Sequence, residues 1–286
     1  MMQSLWKKLF IAVTVLLVIS FVLDAGLWYQ LNVTKSQLND TIARLDAVKP
    51  EMDSLKVERD RVVSGYADLR EQINLRLGMG QDSQSFITPD EPEISARVQE
   101  ITGGYSEEKL WKDYAHLFQW VMRNIKYSLD SPTPLLPESV DGTLEWAADF
   151  WRTPVQTISD GTGDCEDIAL LLTSLLLNYN QRRYPAWIVG VKTTGDQPRA
   201  HVAVAIPSEN NQLSFFDIPG RYYTPFSTVG GFGSQDVPLA VDHWLNHLEE
   251  EMLGAQIYVV FSESFYQEFS GNEEFIDWAS LLLTPR

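Results

Sequence analysis

A single cysteine, Cys165, stands among 286 residues. An internal disulfide is therefore excluded, as is any zinc or iron–sulfur site built on several thiolates. Histidine is scarce too, with four in all, so no metal and no cofactor is expected. Basic residues are outnumbered, 22 Lys and Arg against 39 Asp and Glu, for a formal net charge of −17. A surface of that sign repels phosphate backbones, and nucleic acid is not an expected partner. The remaining composition, 44% hydrophobic and 21% charged, is that of a folded globular chain.

Charge is missing locally from Leu9 to Leu23. Asp24 interrupts the apolar run and Ala25 to Tyr29 resume it. Residues 9–29, about 21 in number, are long enough to cross a hydrocarbon core of ~30 Å as a helix. Lys7 and Lys8 precede the run, and no basic residue follows until Lys35. The positive-inside rule then keeps residues 1–8 cytoplasmic and places the remainder outside the cytoplasm. A cleaved signal peptide is the rival reading, but no clear small-x-small site stands before a turn.

Beyond the anchor, Leu31, Leu38, Leu45 and Met52 recur every seven residues, and Leu55, Val62 and Leu69 continue after a shorter step near Pro50. Residues 30–77 read as a helical stalk that could pair two copies as a coiled coil, with Lys35 and Lys49 weakening the seam. A single amphipathic helix is the alternative. Residues 78–92, rich in Gly, Ser, Asp, Gln and Pro, read as a linker, and 93–286 as one packed domain.

In that domain, Leu110, Trp111, Tyr114, Leu117, Phe118, Val121, Met122 and Ile125 follow helical spacing. Three prolines make 131–137 a loop, and 143–151 reads as a short helix. Ala169 to Leu177 predicts a buried helix. Strands are expected at 186–191, 201–206, 213–217 and 257–262, with a last helix at 275–283. Helices followed by strands suggest an α+β fold.

The segment Gly161-Thr162-Gly163-Asp164-Cys165-Glu166-Asp167-Ile168-Ala169 carries the chemistry. Two glycines turn the chain and an apolar helix starts at once, which puts Cys165 in its first turn. Unpaired N–H groups and the positive dipole end favour a thiolate there. The three acids push the other way unless they face solvent or cap the helix. A buried, inert thiol is the plain alternative. His201 is the best-placed base. The strand it opens turns through 207–212 and returns as Leu213-Ser214-Phe215-Phe216-Asp217. A hairpin centred between positions 209 and 210 sets His201 beside Asp217 or its immediate neighbour. A carboxylate there would hold the imidazole tautomer and stabilise its charged form. His243 and His247, four apart, lack the Glu a zincin motif needs after the first His, and read as a solvated helix face. Gly230 to Gly233 reads as a mobile turn. Tyr222 and Tyr223 could line a groove.

These blocks resemble the transglutaminase-like superfamily with its papain-like Cys-His-Asp triad. They are most similar to the transglutaminase-like cysteine proteinases of prokaryotes. Trp120-Val121-Met122-Arg123-Asn124-Ile125-Lys126-Tyr127, the stretch Trp151 to Gly161, Gly163-Asp164-Cys165-Glu166-Asp167, and the span from Trp187 through His201 to Asp217 match in order. The resemblance covers residues 105 to 220. It implies a nucleophile helix packed on antiparallel strands and acyl chemistry through a Cys165 thioester. His201 would move the proton and Asp217 would orient it. The substrate would be a protein or peptide, with hydrolysis favoured over cross-linking. The Cys165 N–H is the first oxyanion donor, with Gln156 and Trp151 candidates for the second. A catalytically inactive binding or scaffold module on the same stalk is the competing function.

Overall fold

The computed structural model describes residues 2–76, 82–139, 141–147, 150–194, 198–225 and 232–284. The chain divides into two compact units, Met1–Asp68 and Leu69–Arg286. The first unit lies within one helix, α1 (Met2–Arg76), which continues through Pro50. Few glycines interrupt it, and Leu, Lys, Arg, Glu and Ala are good helix formers. Its apolar segment is exposed on all sides, Leu16, Phe21 and Trp28 included. Among the described residues it is the one helix long and apolar enough to cross a membrane. The heptad residues Leu31, Leu38, Leu45, Leu55 and Val62 are likewise exposed.

The second unit is mixed α/β. Its first helix, α2 (Pro92–Thr102), opens on a proline at the first helical position and stops at left-handed Gly103. Phe86 and Ile87, within the stretch expected to be a linker, are buried in the core. Next come α3 (Leu110–Asn124), β1 (Lys126–Tyr127), β2 (Thr133–Leu135) and β3 (Glu145–Ala147). β2 and β3 pair as a separate antiparallel ribbon, Pro134 opposite Trp146. The expectations of a loop at 131–137 and a helix at 143–151 are corrected by this ribbon. A two-stranded ribbon has only edges, where proline loses no necessary bond, and Trp suits a strand.

The chain continues through α4 (Pro154–Asp160), β4 (Thr162–Gly163) and α5 (Cys165–Tyr179) to β5 (Trp187–Lys192), β6 (Ala200–Ser208), β7 (Gln212–Asp217), β8 (Tyr222–Tyr223) and β9 (Gln235–Asp236). It ends in α6 (Val237–Leu248), β10 (Gln256–Phe261), β11 (Tyr266–Glu268) and α7 (Asn272–Leu283). The main sheet has seven antiparallel strands in the order β11-β10-β5-β6-β7-β8, with β9 also on β7.

Period-two alternation explains how this sheet is sandwiched. Val202, Val204 and Ile206 of β6 join the core built on α2, α3 and α5. Ala203 and Ala205, between them, join the opposite core with Trp244 of α6 and Phe275 of α7. With both faces covered, β5 and β6 read as unbroken apolar runs. Helix α5 lies under the first core, and every residue from Ile168 to Leu177 is buried.

Candidate active site

The capping box of Thr153 and Gln156 starts α4, and left-handed Gly161 ends it. The chain then runs as β4 beside β1 in parallel, Tyr127 opposite Gly163. Two residues later α5 begins at Cys165. The cysteine sulfur is partly buried. Its thiol donates to Glu166 Oε2 at 3.3 Å, and the Val202 backbone N–H lies near enough to favour its anion slightly. Val202 follows His201, so the sulfur meets β6 one residue from the expected base. Among the described residues no thiol–imidazole hydrogen bond forms.

The expectation of a stabilised thiolate is corrected. Burial, then the charge and hydrogen bond of Glu166, then Asp164, push the Cys165 thiol well above its ordinary range. The acids turn inward: Asp164, Glu166 and Asp167 are all buried. Asp164 occupies the cap position, but its side chain does not cap the helix.

His201 Nε2 lies 2.8 Å from Asp217 Oδ2. The expected register needs a small correction. The β6–β7 ladder runs from Ser208↔Gln212 to Val204↔Phe216, so its continuation sets Asp217 against Ala203. His201 reaches Asp217 on the diagonal, a spacing long polar side chains bridge. With Nε2 committed, Nδ1 is the ring nitrogen left for the sulfur.

Asp217 is wholly buried and receives two donors besides the imidazole. The Trp244 indole N–H donates to Oδ2 at 2.9 Å, and the Gly220 N–H to Oδ1 at 2.8 Å. Burial alone would raise this carboxyl. His201, Trp244 and Gly220 outweigh it and hold Asp217 below the usual carboxylate range. Sequence reasoning missed both partners. A Cβ on Gly220 would stand 2.7 Å from Asp217 Oδ2. Gly220→Ala is therefore expected to displace the carboxylate and cost about 1–3 kcal/mol. Thermal melting checks this; an unchanged melting temperature would mean the turn absorbs the methyl group freely.

A second charged cluster lies beneath the first turn of α5. Arg152 Nη1 donates to Asp130 Oδ1 at 2.9 Å and to Asp167 Oδ2 at 2.5 Å, and the Arg152 N–H donates to Asp167 Oδ1 at 2.6 Å. Burial pushes Asp167 up to about 7, against the pull of Arg152. Carboxylate oxygens of Asp130, Asp164 and Asp167 lie within 4.8 Å of one another, a grouping of hard oxygen donors that could hold a cation. Sequence reasoning missed this grouping because Asp130 comes from a separate loop.

Of the other candidates, Gln156 is occupied in the capping box. Trp151 stacks on Phe261 and packs, like Cys165, against the core under α5. His243 and His247 diverge, to Gln235 Oε1 and the Gly220 carbonyl. Tyr223 stacks on Phe232, and Tyr222 lies beside His247. Gly230 and Gly231, half of the turn at 230–233, lie outside the described residues.

Residues 96–222 match the family model described as transglutaminase-like domain. No curated protein sequence matches the chain. Among solved structures, LapG of Legionella pneumophila is similar at 14% identity and a TM-score of 0.31, over 69% of this chain and 98% of that one. A calcium-bound form of LapG gives 14% and 0.30, over 68% and 98%. A candidate cysteine protease from Cytophaga hutchinsonii gives 13% and 0.30, over 66% of this chain and 53% of that one.

Proposed function

We propose, from the premise that residues 96–222 carry a transglutaminase-like domain, that this protein is a membrane-anchored cysteine hydrolase. It acts on a peptide or carboxamide through a Cys165 thioester. The observation that carries the reading is the buried His201–Asp217 pair, held on the strand whose next N–H meets the Cys165 sulfur. A fully buried carboxylate fed by three donors is costly to keep for packing alone. Beside a thiol it orients an imidazole and stabilises its cation.

His201 Nδ1 takes the thiol proton as sulfur bonds to the carbonyl carbon, and the C=O electron pair moves onto oxygen. The Cys165 N–H, left without a helical partner at the start of α5, stabilises that oxygen. Collapse breaks the C–N bond, and the imidazolium protonates the departing amine. Water then hydrolyses the thioester with His201 as base. Water needs no acceptor pocket of its own, which favours a protease or amidase over cross-linking.

Asp130, Asp164 and Asp167 would hold a calcium ion. Their oxygens cluster, and Asp130 Oδ2 is buried with no hydrogen-bond partner among the described residues. The ion would supply positive charge beside the sulfur, which the neighbouring acids otherwise make unfavourable to ionise. Arg152 already provides one such charge within the cluster.

Residues 9–29 would anchor the domain, with the N-terminus cytoplasmic, the domain outside and the stalk of 30–77 available to pair two copies. The thiol bonded to Glu166 favours one other reading, a catalytically inactive binding module. Two treatments separate them. Cys165→Ala and iodoacetamide are each expected to abolish thiol-dependent hydrolysis of casein or amide substrates. Activity that survives both rejects Cys165 as the nucleophile.

A further inference from the structure

Acyl transfer to a thiol places negative charge on the substrate oxygen, and one backbone N–H seldom suffices to stabilise it. Here the demand is greater, because Asp164 and Glu166 are buried on either side of Cys165 and repel a developing oxyanion. Gln156 is turned back on Thr153. The donor must come from another element beside the start of α5.

Strand β1 runs beside β4, which leads into the start of α5. Its Lys126 N–H donates to the Gly161 carbonyl at 2.9 Å, and the following Ser128 N–H to the Gly163 carbonyl at 3.0 Å. Tyr127 is clamped between these bonds, directly opposite Gly163. Paired strands lie about 4.8 Å apart, so the Tyr127 backbone runs one strand's width from Gly163, two residues before Cys165. Tyr127 is 46% exposed, which puts it at the rim of the site rather than in the core. Among the described residues no side-chain hydrogen bond occupies its hydroxyl.

We propose that the Tyr127 hydroxyl is the second oxyanion donor, hydrogen-bonding the substrate carbonyl oxygen as it takes up charge. This rests on the reading of Cys165 as nucleophile. As sulfur bonds to carbon and the π pair moves to oxygen, the phenol donates without giving up its proton. The bond is released when the C=O double bond re-forms. Such a donor has to stay protonated. Burial, then Cys165, Asp164, Glu166 and Glu251, push the Tyr127 phenol up to about 12, so it keeps its proton across the working range.

The test compares two reactions of the full-length chain. p-Nitrophenyl acetate acylates a thiol through a tetrahedral oxyanion. Iodoacetamide alkylates it by displacement at a saturated carbon and forms none. Tyr127→Phe keeps the ring and is expected to slow Cys165 acylation by about 100-fold, with alkylation and melting temperature unchanged. Unchanged acylation overturns the proposal. A parallel fall in both reactions also overturns it, since Tyr127 would then act on the sulfur or the fold. A native protein that is alkylated at Cys165 yet never acylated there rejects the nucleophile reading itself, which is a distinct failure.

Discussion

Asp217→Asn is expected to slow acyl transfer by about 10³- to 10⁴-fold while the chain remains folded. The reason lies in what surrounds the carboxylate. Oδ2 accepts from His201 Nε2 and Trp244 Nε1, and Oδ1 accepts from the Gly220 N–H. Every neighbour is a donor, and an amide brings one more. If its NH₂ faces Gly220, the imidazole keeps its acceptor but loses the negative charge that stabilises its cation. If the NH₂ faces His201, the imidazole must present a lone pair at Nε2 and carry its proton on Nδ1. That nitrogen can no longer accept the thiol proton. Either way two donors meet in a buried site, at about 1–3 kcal/mol.

The check is the rate of p-nitrophenyl acetate acylation beside a melting curve. A native-like rate would remove Asp217 from the machinery. A pH series adds a sign. The native carboxyl titrates below its unfolded value, so its contribution to stability is present above the unfolded range near 3.9 and is lost as the pH falls through the folded value. The Asn variant should lack that part of the acid loss.

The β6–β7 hairpin was legible because its apolar residues bracket a short polar turn, so register follows from counting. The count still missed by one residue, since the ladder pairs Val204 with Phe216, and the diagonal reach of His201 closes the remaining gap. Helix α5 was legible from its apolar run, with leucines at 170–172 and 175–177. The β2–β3 ribbon was not, because prolines mask a strand unless its edge position is known. Trp244 could not be foreseen as a partner of Asp217. The two are 27 residues apart, and the contact depends on α6 lying across the sheet face opposite α5. The cradle of Asp217 is tertiary, whereas the His–Asp contact is nearly local.

The state of the sulfur was the least legible property. A cysteine at a helix start suggests a thiolate when only the helix dipole is considered. Burial and then the acids beside it decide otherwise, and the direction of Asp167 is set by a residue outside the helix. Arg152 draws Asp167 inward through two groups, and Glu166 accepts from the thiol.

Glu166→Gln is accordingly expected to raise the rate of Cys165 alkylation by iodoacetamide at pH 8 by at least about tenfold, the effect of one unit in the thiol's pKa. After burial, Glu166 is the largest influence holding the proton on sulfur. Glutamine removes its charge yet keeps an oxygen that can accept from the thiol. Burial and Asp164 remain, so reactivity should stay below that of a fully activated thiol. The stability curve gives an independent reading. The native thiol titrates above the unfolded value of about 8.5, so its contribution is fully present below that pH and is lost as the pH rises toward the folded value. Lowering the folded value with Glu166→Gln should shrink this alkaline loss, measured by melting between pH 8 and 10. Equal alkylation rates in native and variant chains would show that Glu166 does not restrain the sulfur. Faster alkylation with unchanged acylation by p-nitrophenyl acetate would instead place the limiting barrier beyond thiol ionisation, at formation or collapse of the oxyanion.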